Sequence, residues 1–363
     1  MRVLIAPDSF GGTLTATAAA TAMASGWARA RPDDELVLAP QSDGGPGFVD
    51  VLATRIGERH DEVVDGPLGG PVRAQWLRVG ETAYIESAQA CGLHLLPGPP
   101  DPETAVAAGS GGVGQLIRAA VAAGVTTVVV GLGGSCCTDG GRGLLERLGD
   151  GSGADAVRSA ADRLAGVRLV AATDVENPLL GPVGAAAVFG PQKGADPATV
   201  GLLERRNAAW SAVLADAAGR SVADAAGAGA AGGIGAALLA LGASRRSGAA
   251  VVATGTGQDE LLAAADLVLT GEGRFDEQSL RGKLVVELAR AARRHGVPAV
   301  VVAGQVRLDR ETWAAAGLAR VYSVAEYAGS VELAMSDADR QLRLLVAVVA
   351  GDAGKEYPTT RYR

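Results

Sequence analysis

Residues 266–283, DLVLTGEGRFDEQSLRGK, decide how this chain is read. Leu267 to Thr270 is an apolar strand signal; Gly271 and Gly273 flank Glu272, Arg274 and Asp276 follow, and Gly282 with Lys283 opens a helical pattern that runs to His295. A strand feeding a helix and then a further strand, Ala299 to Ala303, is a β-α-β unit, which needs a parallel sheet because parallel neighbours are joined by a crossover. Glycines in the turn let backbone N–H groups approach a ligand closely, and the positive end of the next helix faces the same way, so the turn suits an anion. Its acidic residues would repel a bare phosphate, which calls for a magnesium ion held by hard oxygen ligands. The turn therefore reads as a site for a magnesium-nucleotide or a phosphorylated substrate. The bland alternative is an ordinary α/β turn.

Working outward, the amino-terminal segment supplies the other half of such a sheet. Residues 2–6 are a buried-strand signal, followed by a turn over residues 7–13 and an alanine-rich helix from Thr15 to Arg31 capped by Thr13 or Thr15. Asp8 and Ser9 thus lie at the carboxyl end of the first strand, where open parallel sheets bind ligands. A second strand, Glu35 to Ala39, runs into the small-residue turn holding Asp43, with a helix over Phe48 to Ile56. Each aspartate alone reads as a helix cap; the pair at successive strand ends points to a shared site.

The texture changes at Asp65, where Gly66 to Pro71 is a hinge signal followed by strands at Val72–Val79 and Thr82–Glu86. A strand at Thr126–Val130 then enters GLGGSCCTDGG, residues 131–141, which carries Gly133, Gly134, Ser135 and Asp139. So many glycines are costly in chain entropy, and a phosphate cradle accounts for them. Neither the dinucleotide fingerprint nor the P-loop spacing is present. Further on, the strand Val167–Ala172 ends at Asp174, Lys193 lies in a glycine-bounded turn, and GAGAAGGIG, residues 227–235, includes Gly232 and Gly233. Either nucleotide contact or close helix packing explains that last run. The expected architecture is two-domain α/β: residues 1–65 and 258–350 form a discontinuous flavodoxin- or Rossmann-like domain, 66–257 an inserted α/β domain, and 351–363 a frayed tail after a charged helix. A cleft between the domains is expected.

Composition narrows the function. A chain of 363 residues exceeds the size of most single cores, and a net charge of −7 lacks the basic footprint of a nucleic-acid binder. No apolar run has membrane length and the amino terminus has no signal-peptide pattern, so a cytoplasmic protein is expected, with no membrane partner. Cys91, Cys136 and Cys137 have no metal-ligand spacing and read as reduced apolar residues. His60, His94 and His295 are scattered and read as structural. Only Lys193, Lys283 and Lys355 are lysines in a chain that otherwise uses arginine, and two of them sit in glycine-rich turns suited to phosphate.

Taken in order, PDSFGGTL, SDGGPG, GLGGSCCTDGG, DVENPLLGP, FGPQKGA, GAGAAGG and TGEGRFDEQSLRGK resemble the bacterial glycerate kinase family, from Met1 to about Ala303. The resemblance implies a flavodoxin-like domain interrupted by a second domain. It also implies transfer of the γ-phosphoryl of Mg2+-ATP to a hydroxyl of D-glycerate, most often the 2-hydroxyl, giving 2-phosphoglycerate. The chain departs from the family where Gly11 replaces a lysine, where Pro46 and Phe48 replace glutamate and threonine, at Gly109–Gly111, at Thr138, and in a shortened loop after Leu148.

Phosphoryl transfer asks mainly for in-line positioning and neutralisation of charge. The catalytic candidates are Asp174, Lys283, Asp276 and Lys193. Substrate contacts are expected from Asp8, Ser9, Asp43, Arg274 and Glu272, nucleotide contacts from Gly133, Gly134, Ser135, Asp139, Gly232 and Gly233, and magnesium ligation from Asp174 and Glu272. Expected partners are glycerate and ATP, and a homodimer is compatible with the residues. Two other functions remain open: a kinase for another small hydroxy acid, suggested by Gly109–Gly111, and a non-catalytic sensor, suggested by Gly11 and Pro46.

Overall fold

The computed structural model describes residues 1–280 and 284–356, with side chains described as far as Ala353. The chain divides into two compact units, one made of Met1–Ser42 with the segment from Val252 onward, the other of Asp43–Val251. In chain order the strands are β1 (Arg2–Ile5), β2 (Glu35–Leu38), β3 (Glu58–Asp65), β4 (Pro71–Val79), β5 (Thr82–Glu86), β6 (Thr127–Gly131) and β7 (Arg168–Ala172). Then come β8 (Ser244–Arg246), β9 (Leu267–Thr270), β10 (Arg274–Phe275), β11 (Ala299–Ala303), β12 (Gln305–Val306) and β13 (Arg320–Ser323).

The first unit is built on a five-stranded sheet in the order β13-β11-β9-β1-β2, with every pairing parallel. Its strands are apolar runs because both faces are covered. Val3, Ile5, Leu267, Leu269, Val300 and Val302 point to one face and pack with the helices Ala16–Ala30 and Ala338–Glu356. Leu4, Val268, Val301 and Ala303 point to the other and pack with Val285, Leu288 and Ala289 of the helix Leu284–Arg294. The strict alternation is the period of two expected of a strand. The chain moves from β1 outward to β2 and then returns to β9 on the opposite side of β1. The strand order therefore reverses between β1 and β9, and their carboxyl ends form a topological switch point.

The second unit carries a six-stranded sheet, β3-β4-β5-β6-β7-β8, antiparallel from β3 to β5 and parallel from β5 to β8. Here the structure departs from the expected boundary at Asp65. β3 pairs along its whole length with β4, and the helix Phe48–Ala53 packs on β4 and β5, so everything from Asp43 belongs with this sheet. β3 escapes a sequence search because ERHDEVVD is a charged edge strand with only Val64 buried. At the carboxyl end, Asp337 breaks the expected single helix into Val331–Ser336 and Ala338–Glu356, and the second extends past residue 350 with Ala353 buried. Among the described residues no helix is long and apolar enough to cross a membrane.

Candidate functional site

In the second unit, the carboxyl ends of β5, β6 and β7 gather three loops. The turn holding Asp43 lies against two of these strand ends. A Cβ on Gly44 would stand 2.7 Å from the Ala172 carbonyl oxygen, and one on Gly131 would stand 2.6 Å from that of Gly44. Gly248 comes so close to the Asp43 carbonyl that any side chain would collide, and the next residue, Ala249, donates its N–H to Asp174 Oδ2 at 3.4 Å. Both Asp43 and Asp174 are exposed. Asp43 Oδ1 also accepts the Gly45 N–H at 2.9 Å, the Asx turn anticipated for it. These contacts seat the backbone of the Asp43 turn at the carboxyl end of β7, the strand that Asp174 follows.

Beneath that turn lies Glu86, the last residue of β5 and 3% exposed. Its Oε2 accepts the N–H of Val49 at 3.2 Å, capping the helix Phe48–Ala53 from outside. Burial pushes its carboxyl up to about 7, against the opposing pull of hydrogen bonds from Gly47, Val49 and Gln89. Sequence reading passed over this residue; the signal was an acid ending an otherwise apolar strand.

The glycine-rich loop after β6 is tied to itself. Lys193, 3% exposed, donates from Nζ to Ser135 Oγ at 3.0 Å and to the Cys137 carbonyl at 2.6 Å, and burial lowers its pKa. Asp139 Oδ2 accepts from Ser110 N, Ser110 Oγ and Gly143 N, and Oδ1 from Gly141 N, so it anchors two helix starts. A Cβ on Gly232 would lie 1.9 Å from the Cys137 oxygen, and one on Gly233 2.5 Å from Gly140 Cα. Lys193, Ser135, Asp139, Gly232 and Gly233 thus serve the interior of this loop, whereas Gly133 is half-buried and Gly134 exposed. The three cysteines are buried, and burial pushes the Cys136 thiol up to about 12.

In the first unit the switch point is lined by Asp8, Ser9 and the turn after β9. Asp8 N donates to the Gly271 carbonyl at 2.8 Å and Gly273 N to that of Ser9 at 3.2 Å, knitting the two strand ends together. Glu272 is buried, while Arg274 is largely exposed and pairs with Asp276 at 3.1 Å. Asp276 Oδ1 also accepts the Gln278 N–H at 2.9 Å, so this acid caps the short helix Glu277–Leu280. A cavity of ≈ 350 Å³ opens here, with Ser9, Gly11, Glu272, Arg274 and Gln305 on its polar side. Lys283 lies outside the described residues. Among the described residues no group of three or more His, Cys, Asp or Glu side chains is assembled to hold a metal unaided. A magnesium ion that arrives with a nucleotide needs only one or two protein carboxylates, and the exposed Asp174 fits that requirement.

Comparison with known proteins covers both units. The model of the glycerate kinase family matches residues 3–156 and 153–352. A glycerate 2-kinase of Escherichia coli is 37% identical over 93% of this chain and 94% of its own length, and a glycerate kinase of Bacillus subtilis is 38% identical over 93% and 94%. The crystal structure of a putative glycerate kinase 2 from Salmonella typhimurium superimposes with a TM-score of 0.77 at 35% identity, covering 98% of this chain and 99% of that one.

Proposed function

The chain belongs to the glycerate kinase family, and from that premise we propose that it transfers the γ-phosphoryl group of Mg2+-ATP to D-glycerate, giving 2-phosphoglycerate, in the cytoplasm. The observation that supports the proposal is that the likeness to a glycerate 2-kinase covers 93% of the chain and so extends over both units.

The chemistry assigned to these residues follows from their exposure. Asp174 is the acid suited to accept the proton of the attacking hydroxyl, because it is solvent-facing and lies just beyond the carboxyl end of β7. Asp43, held by its own turn, orients the same hydroxyl acid. Arg274 and Ser9 supply donors for carboxylate or phosphate oxygens, Arg274 from a side chain that is 62% exposed and paired through Nε with Asp276. Lys283 is assigned to the transferring phosphate. Magnesium, which when bound neutralises charge on the transferred group, would be held by Glu272 in the first unit or, as the alternative ligand, by Asp174 in the second. Gly133 and Gly134 offer backbone to phosphate oxygens. Lys193 acts one step back, holding the loop that presents these glycines.

The test is ATP-dependent phosphorylation of D-glycerate by the purified protein with magnesium, the phosphate position being read by phosphorus NMR. A 2-phosphate product is expected. Turnover of another hydroxy acid in preference to glycerate, or ligand binding without turnover, would refute the proposal.

A further inference from the structure

The cavity at the switch point of the first unit has a lining that glycerate does not explain. Besides Ser9, Arg274 and Gln305 it is lined by aliphatic side chains, the core residues Val324 and Leu342 and the more exposed Val331 and Met335 among them. Val331 and Met335 are one turn apart on the helix Val331–Ser336, so they share a face, and they remain 39% and 54% exposed. Apolar side chains left in water beside a polar strand end mark a binding surface rather than a core. Every carbon of glycerate carries oxygen, so such a wall contributes nothing to holding it. A purine has the opposite character, with two apolar faces and a polar edge.

We propose that this cavity is the nucleoside subsite of ATP, with the adenine against Val331 and Met335 and the phosphates leaving past Ser9 and Arg274. Three observations meet here. The strand order reverses between β1 and β9, the place where doubly wound sheets take nucleotides. The volume of ≈ 350 Å³ lies at the small end of ligand pockets, about 300–1,000 Å³, and suits a nucleoside rather than a whole nucleotide. Ser9 and Arg274, on the same lining, offer the hydroxyl and guanidinium donors that phosphate oxygens take. The glycine loops of the second unit, by contrast, are largely occupied by their own packing, Gly232 against Cys137 and Gly233 against Gly140. The inference rests on the kinase reading and adds the place where the base sits.

Photolabelling with 8-azido-ADP and magnesium, followed by tryptic digestion, reads the site directly. The label is expected in the peptide Val321–Arg340, which contains Val324, Val331 and Met335. Label in Ala119–Arg142 or Ser221–Arg245, the peptides of the second-unit glycine loops, would overturn the proposal. Two variants at exposed positions, Val331→Asp and Met335→Glu, should each raise the KM for ATP about tenfold with the KM for glycerate unchanged, while Met335→Leu restores it. An unchanged ATP KM in both charged variants, with glycerate still phosphorylated, sinks the subsite and leaves the kinase standing. A wild-type protein that takes no label and phosphorylates no glycerate would remove both.

Discussion

Replacing Glu86 with Gln tests the buried acid beneath the Asp43 turn. Its carboxyl is pushed up to about 7 from an ordinary 4.5, so between those pH values the folded chain holds a proton that the unfolded chain has released. Stability from this group is accordingly complete below about pH 4.5 and is lost as pH rises through about 7. At about 1.4 kcal/mol per pH unit the loss between pH 5 and pH 8 comes to about 2.5 kcal/mol. The carboxylate is 3% exposed, so solvent screening takes little from that figure. Glutamine keeps an acceptor for the Val49 N–H and does not titrate. Relative to Glu86→Gln, the wild type should therefore lose about 2.5 kcal/mol between pH 5 and pH 8, roughly 5–10 °C in Tm for a unit of this size. Thermal unfolding followed by circular dichroism at several pH values in that interval measures it. Parallel Tm-against-pH curves for the two proteins would show that Glu86 does not carry this proton.

Lys193→Met should lower Tm as well as activity, since the Cys137 carbonyl and Ser135 hydroxyl would lose a buried donor worth about 1–3 kcal/mol; an unchanged denaturation midpoint would return Lys193 to direct phosphate binding. Gly232→Ala should cost roughly 2–5 kcal/mol in chemical denaturation, because its φ of +68° strains any L side chain and the added carbon meets the Cys137 oxygen at 1.9 Å; a cost under about 1 kcal/mol would mean the loop yields. Asp174→Asn and Lys283→Ala should each cut kcat strongly with Tm close to wild type. Undiminished kcat would take that residue out of the mechanism.

Much of the first unit was legible in the sequence. Strands covered on both faces appear as unbroken apolar runs, so Leu267–Thr270 and Ala299–Ala303 could be read with their connecting helix and assigned to one parallel sheet with the amino-terminal strands. The acids at strand ends were legible too, Asp8, Asp43 and Asp174 each following an apolar run. The parallel pair β10–β12 was not, because two residues carry too little period to read, nor was β13, an edge strand whose RVYS is mostly half-buried and carries no apolar run. Nor was β8, whose Ser244–Arg246 is exposed throughout and shows no strand pattern.

By itself the sequence determined the fold class, the parallel sheet and the positions of the charged turns, since these depend on hydrophobic period and on local turn chemistry. Only the tertiary structure decided which small residues stay open to solvent and which face another stretch of backbone, because a glycine answers both needs with the same absent side chain. It decided likewise that Lys193 is enclosed by the loop it holds, that Glu86 is a buried cap, and that Val331 and Met335 of the late helix Val331–Ser336 line the same cavity as Ser9 and Arg274. These are contacts between residues far apart in the chain, and no local pattern encodes them.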